Sequence, residues 1–298
     1  MTNRILATVP ITLGYRRILA PGRLRWLRAV GWMIALFFLV AVGPGLAMGG
    51  LQYVLPKGDS RIGFVINLTG AAIALGLYLL SVRFGEDRAA DELAPAPALA
   101  QLSIGLIIGT AMFACVMAIL VATGLYQIAW QGAAPAWRAA GGAIRAGVIE
   151  ELLVRAIMLR LLWRAFGPAA AFIVSVLFFG GAHLLNPGAT WFAALCVALE
   201  AGVMLGAFYA LTGRVWMSIG LHTAWNFTQG YVFGAAVSGT TMGPALAHSI
   251  ARTDAPAWAT GGAFGPESSL AALLVCTTIG LATLWLAYRA GRLGPSAA

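Results

Sequence analysis

Long apolar runs separated by short polar breaks make up this chain; apolar and polar residues do not alternate along it. Eight runs stand out, at about 29–54, 63–82, 100–126, 140–165, 167–185, 190–211, 215–236 and 269–288. Each is near or above the roughly 20 residues an α-helix needs to cross a bilayer. The pattern predicts an all-α fold, a polytopic membrane helix bundle of about eight transmembrane helices. The break at 83–99, "RFGEDRAADELAPAPAL", reads as a solvent loop, and 237–268, rich in Gly, Ser and Thr with Pro244, Pro256 and Pro266, as a second, longer loop. Residues 1–28 carry Arg4, Arg16, Arg17, Arg23, Arg25 and Arg28 among apolar side chains. They read either as an amphipathic helix on the membrane surface or as a plain basic tail. The resulting organisation is a basic segment at 1–28, N-terminal membrane helices at 29–135, a core at 136–236 that holds the candidate chemistry, and a loop with a last helix at 237–298.

Composition supports the membrane reading. Only 10% of the 298 residues are charged and 60% are hydrophobic, against roughly 25% charged in a soluble domain. The net charge of +9 suits contact with anionic lipid headgroups, and no compact soluble domain is left to hold a nucleic acid. Cys115, Cys196 and Cys276 each lie alone in an apolar run and read as small core residues. Heavy use of Ala, Gly and Arg fits a high-GC bacterial gene, hence an integral protein of the bacterial inner (cell) membrane. With the N-terminus inside, inner segments hold 13 Lys and Arg residues and outer segments five. The count therefore puts both termini in the cytoplasm.

The polar residues that remain inside the spans are few. The fourth span has Glu150, Glu151 and Arg155, the fifth His183, the sixth Glu200, and the seventh His222 and Asn226. A charged side chain in hydrocarbon costs several kcal/mol, so each is a functional candidate. Glu151 and Arg155 are four apart on one helical face and can neutralise each other, whereas Glu150 points elsewhere and needs a partner on another helix. His222 and Asn226 also share a face. Taking Arg160, Arg164 and Arg214 as marks of the cytoplasmic interface puts Glu150 roughly 15 Å and His222 about 12 Å above it. His183 then falls near the level of Glu150, and the chemistry lies near the cytoplasmic side. A frame that starts every helix at the membrane edge would instead place Glu150 and His183 nearer the outer side.

A carboxylate and two imidazoles at one depth support two chemistries. In one, Glu150 is the general base for a water that attacks a peptide carbonyl, His183 helps to hold that water, and His222 with Asn226 donates to the developing oxyanion. In the other, His183, His222 and Glu150 hold a metal such as Zn²⁺ that activates the water. No HExxH is present, so such a site would be assembled from separate helices.

At these residues the sequence resembles the CAAX-protease and bacteriocin-processing family of intramembrane endopeptidases, which includes the type II CAAX prenyl endopeptidases. The family motif EExxxR stands as "EELLVR" at 150–155, FxxxH as "FGGAH" at 179–183, and HxxxN as "HTAWN" at 222–226. The resemblance implies Glu150 as catalytic base, His183 as its partner on the water, His222 and Asn226 as oxyanion stabilisers, and Glu151 and Arg155 as supports, with Phe179 packed beside the site. It implies a peptide or protein substrate, membrane-associated or lipid-modified. Family members are described as metalloproteases, and a glutamate-dependent mechanism without metal has also been argued.

Two other classes compete. A bacteriocin self-immunity or other binding membrane protein could use the same layout without catalysis. A proton-coupled transporter could use buried Glu and His as a relay, although no inverted repeat is visible. Glu200 reads equally as a packing anchor and as a support for the site, since Gly202 and Gly206 follow it in a small-xxx-small pattern. Trp225 reads as a bundle aromatic and His248 as a solvated loop residue.

Overall fold

The computed structural model describes residues 8–294. Eight long helical stretches occur among them, one on each expected run. They are α1 (Arg25–Val54), α2 (Ser60–Glu86), α3 (Ala98–Ala122), α4 (137–166), α5 (Pro168–Leu185), α6 (Trp191–Thr212), α7 (216–232) and α8 (Leu270–Arg289). Six of these are long and apolar enough to cross a membrane. The other two are α4, which carries Glu150, Glu151, Arg155, Arg160 and Arg164, and α7, made of a 12-residue α-helical piece and a 5-residue wider-wound piece. The two helices that fall short of the span criterion are the ones that bear most of the candidate chemistry.

Close helix approach rests on small residues. A side chain on Gly105 or Gly109 of α3 would strike the α7 backbone at Met217 or Leu221, and one on Gly220 of α7 would strike Leu102. Gly147 of α4 faces Thr223 of α7 in the same way, and Gly180 of α5 faces Ala194 and Ala198 of α6. With lipid outside, tight van der Waals contact of this kind is what holds helices together. It fixes α7 between α3 and α4, and so sets where His222 stands. Residues 152–159 of α4 and 198–205 of α6 are wound as π-helix. This wider winding is uncommon and occurs often at functional sites.

Three expectations are corrected. Residues 83–99 are not a solvent loop. Glu86 and Glu92 are wholly buried, because Arg160 of α4 forks onto Glu86 at 2.7 and 2.9 Å and Arg88 pairs with both acids. Tyr78 also donates to Glu92. Burial alone would raise the Glu92 carboxyl, but the bonds and charge of Arg88, with Arg160 behind it, hold it below the usual carboxylate range. Arg160, expected to mark the interface, is therefore the buried centre of an ion network. The N-terminal segment forms no amphipathic surface helix among residues 8–24. It runs mostly irregular and is tied down by Arg164 to the Gly14 and Leu19 carbonyls and by Val9 to Thr212; residues 1–7 lie outside the described part. The long loop carries a strand. Residues β2 (Ala247–Ala251) pair antiparallel with β1 (Tyr126–Trp130), with Tyr126 opposite Ala251, which ties the loop to the end of α3.

The close approach of α3 and α7 gives a direct test. Gly109→Leu should cost about 1–3 kcal/mol through overpacking and should push α7 off its seat. Thermal unfolding in detergent reads the first effect. A disulfide pair introduced across α3 and α7, which should form more slowly in the variant, reads the second.

Candidate active site

Glu151 sits at the centre. Its Oε1 accepts from Arg155 Nη1 at 2.8 Å and from His222 Nδ1 at 2.9 Å. Glu151 and Arg155 are almost completely buried, and Arg155 reaches on to the Ala201 carbonyl of α6 at 2.5 Å. The π-wound stretch of α4 that holds Arg155 keeps the pair in register. One carboxylate thus links α4, α6 and α7. The Glu151–Arg155 pair follows from their i, i+4 spacing, whereas the bond from His222 to Glu151 has no signal in the sequence.

Glu150, one residue earlier, points to a different place. Its side chain is 36% exposed, and its Oε2 lies 3.9 Å from His222 Nε2. That is too long for a hydrogen bond and too short for a water directly between the two atoms, but a water beside them can reach both. Because Nδ1 of His222 is engaged by Glu151, Nε2 is the ring atom turned towards Glu150. His183 is fixed in the same manner. It ends the helical run Pro168–Ala182, and its Nδ1 donates to the Phe179 carbonyl at 2.8 Å, which leaves Nε2 free. Phe179 packs among these groups. Its ring centroid lies 4.7 Å from that of His183 and 6.5 Å from that of His222, and the Arg155 guanidinium stacks 4.9 Å above it. Phe179 is thus a spacer that sets the distance between the imidazoles and screens Arg155.

Two cavities meet at Phe179 and His183. One is lined by His183, Glu200, His222, Asn226, Ser238 and Glu267 together with apolar side chains. The other is lined by Glu150, His183 and Asn186 together with Phe37 of α1 and Phe178 of α5. The structure therefore brings His183, His222 and Asn226 onto one cavity and sets Glu150 on the adjoining one, within reach of His222. Trp225 lines the first cavity and packs edge-on to Phe113 at 5.0 Å. His248 lies in β2, away from the site.

The site stands well along the bundle from Arg164. His183 is at the far end of a 15-residue helical run that starts beside Arg164, about 22 Å of rise. Ser238 and Glu267, from the segment between α7 and α8, close the first cavity. The site thus lies toward the loop-bearing end of the bundle, opposite the end where Arg160 and Arg164 meet Leu13 and Gly14.

Glu267 escaped the sequence reading because it falls in a stretch read as loop. Ser238 holds it, donating from both N–H (2.6 Å) and Oγ (2.9 Å) to Oε1. Ser238 adopts a left-handed φ of +46° to do so, a conformation that non-glycine residues seldom take without a structural reason. A lone acid in "FGPESS", directly before an apolar span, was the available signal.

Metal binding was tested on the donor set. Both imidazoles have Nδ1 tied back and Nε2 free, as ligating histidines do. Yet among the described residues no group of three or more His, Cys, Asp or Glu side chains is spaced to share one ion. These donors do not fit a zinc centre.

The two neighbouring glutamates should behave differently. Glu151→Ala strands Arg155 in the interior, a loss of about 3–5 kcal/mol for a broken buried pair. Glu150→Gln, half-exposed and without a hydrogen bond, should stay within about 0.5 kcal/mol of the parent. Unfolding both variants side by side in one detergent measures the contrast.

No curated protein matches the chain, and no solved structure matches it. The resemblance read from the three motifs does find its counterpart: residues 132–228, from the approach to α4 through most of α7 and including every motif residue named above, match the family model described as Type II CAAX prenyl endopeptidase Rce1-like.

Proposed function

We propose that the protein is an intramembrane endopeptidase that hydrolyses a peptide bond with a water activated by Glu150. The observation that carries this reading is the 3.9 Å gap between the Glu150 carboxylate and His222 Nε2, with His183 on the wall that both cavities share. A water seated beside that pair has a carboxylate to take its proton and an imidazole to orient it. The match to an endopeptidase family over the same helices supports the assignment.

The steps follow from the side chains. Glu150 removes a proton from the water as its oxygen adds to the carbonyl carbon. His183 accepts a hydrogen bond from the same water at Nε2. The carbonyl oxygen becomes an oxyanion, and Asn226 donates to it from its amide. His222, when protonated on both nitrogens, donates to it from Nε2, with Glu151 balancing the charge. Glu150 then returns the proton to the leaving amine as the carbon–nitrogen bond breaks. Phe179, Leu221 and Trp225 keep this charge rearrangement away from bulk water.

Access is set by the cavity between α1 and α5. Phe37 and Phe178 meet edge-on at 5.4 Å at its wall, an apolar entry for a segment that arrives from the bilayer. With the N-terminus inside, as the Lys and Arg count indicates, the loop-bearing end faces away from the cytoplasm. The substrate is then a membrane-associated peptide or protein cut in the outer half of the bilayer, inside an integral membrane protein with both termini cytoplasmic.

Two competing readings remain testable beside this one. A self-immunity or binding protein would protect cells whether or not His183 is intact. A proton relay would use Glu150 and His183 without cutting anything. Glu150→Gln should lower cleavage by about 10²–10⁴-fold, the usual worth of a general base, while the variant keeps the parent's unfolding temperature. The measurement is mass spectrometry of peptides from membranes incubated with the purified protein; cleavage at the parent rate in Glu150→Gln contradicts the mechanism.

A further inference from the structure

The mechanism makes no use of two carboxyl groups that line its own cavity. Glu200 comes from the π-wound part of α6 and Glu267 from the turn before α8. Both are 5% exposed. Glu200 Oε1 has no hydrogen-bond partner, and Glu267 is held on Oε1 by Ser238 and is also approached by Gln229. Glu200 is therefore an unpartnered side chain, more than nine-tenths buried, on the wall of a cavity that also holds His183, His222 and Asn226. The remaining wall is apolar, with Val197, Ala201, Met204 and Leu205, and no lysine or arginine lines it.

A buried acid that lacks a partner carries a large desolvation penalty, and a second acid nearby adds to it. Packing does not explain the position. The neighbours Gly202 and Gly206 make the close approach to Val176 and Phe172 of α5, while Glu200 faces the cavity. Arg155, the nearest cation on the reaction side, is committed to Glu151 and the Ala201 carbonyl. No fixed cation lines the cavity, and an arriving cation would satisfy the unpartnered oxygen of Glu200 with Glu267 close by.

Resting on the hydrolase reading for its orientation relative to the scissile bond, we propose that Glu200 and Glu267 form a subsite that receives a cationic side chain, lysine or arginine, of the peptide substrate. The apolar wall takes the methylene stem of such a side chain, and the two carboxylates take its charged head. Glu267 is oriented on the cavity wall by the Ser238 turn, which binds its Oε1. The subsite would select the residue next to the bond that is cut, by charge as well as by shape.

The test uses the full chain in lipid nanodiscs and fluorescein-labelled heptapeptides of alanine and leucine. Each peptide carries arginine, or its neutral isostere citrulline, at one position in turn. Fluorescence polarisation gives the affinities. The expected result is that at one position the arginine peptide binds roughly tenfold or more tightly than its citrulline partner, as charged hydrogen bonds warrant, and that this ratio falls towards one in Glu200→Gln. Equal binding of the two series at every position, or no binding of either, overturns the subsite. So does a ratio that survives both Glu200→Gln and Glu267→Gln. The parent protein alone supplies the arginine-to-citrulline comparison, so a variant that fails to fold does not remove the test. Scission of the same peptides is read separately. Arginine-selective binding without scission upholds the subsite while the hydrolase reading fails, and scission without arginine selectivity does the reverse.

Discussion

A single buried carboxylate, Glu151, organises the site. It has no solvent to stabilise its charge, so it must be met by partners, and the two it finds come from its own helix and from α7. Arg155 neutralises it and reaches α6; His222 completes it and is turned so that Nε2 points at Glu150. Removing a buried charge partner costs more than the pair gains on forming, and this asymmetry locks the geometry. The interaction is structural in origin and chemical in consequence. A histidine whose Nδ1 is fixed offers its other nitrogen to whatever enters the gap.

The rest of the bundle serves that constraint. Gly105, Gly109 and Gly147 allow α7 to come close enough to α3 and α4 for His222 to reach Glu151. At the opposite end, the Arg160–Glu86–Glu92–Arg88 network ties α2 to α4. It does at the N-terminal end of the molecule what Glu151 does at the site. Both are buried charge clusters in a largely apolar chain, and each joins segments far apart in sequence. Together they hold α4 at two points, so that Glu150 lies on a helix with little freedom to move.

Much of this was legible in the sequence where the signal is local. The eight runs are helical, and in six of them length and apolar composition are enough for a span that satisfies its own backbone in lipid. The Glu151–Arg155 pair was legible because four residues is one helical turn. What was not legible depended on distant partners. Glu86 and Glu92 looked like loop acids because Arg160, which buries them, is 74 residues from Glu86. Glu267 looked like part of a long loop because its fate depends on the turn at Ser238. Local periodicity finds elements and i, i+4 neighbours; it does not find which element a buried charge will meet.

The central claim is that a water activated beside Glu150 adds to a peptide carbonyl. Labelled water reports on this most directly. The purified protein would be incubated with solubilised membrane proteins in H₂¹⁸O, and newly formed C-termini read by mass spectrometry. The account predicts new C-terminal carboxylates that carry one ¹⁸O, formed only when the protein is present. Membranes that yield no labelled new termini, across a preparation in which the protein is folded, would contradict it.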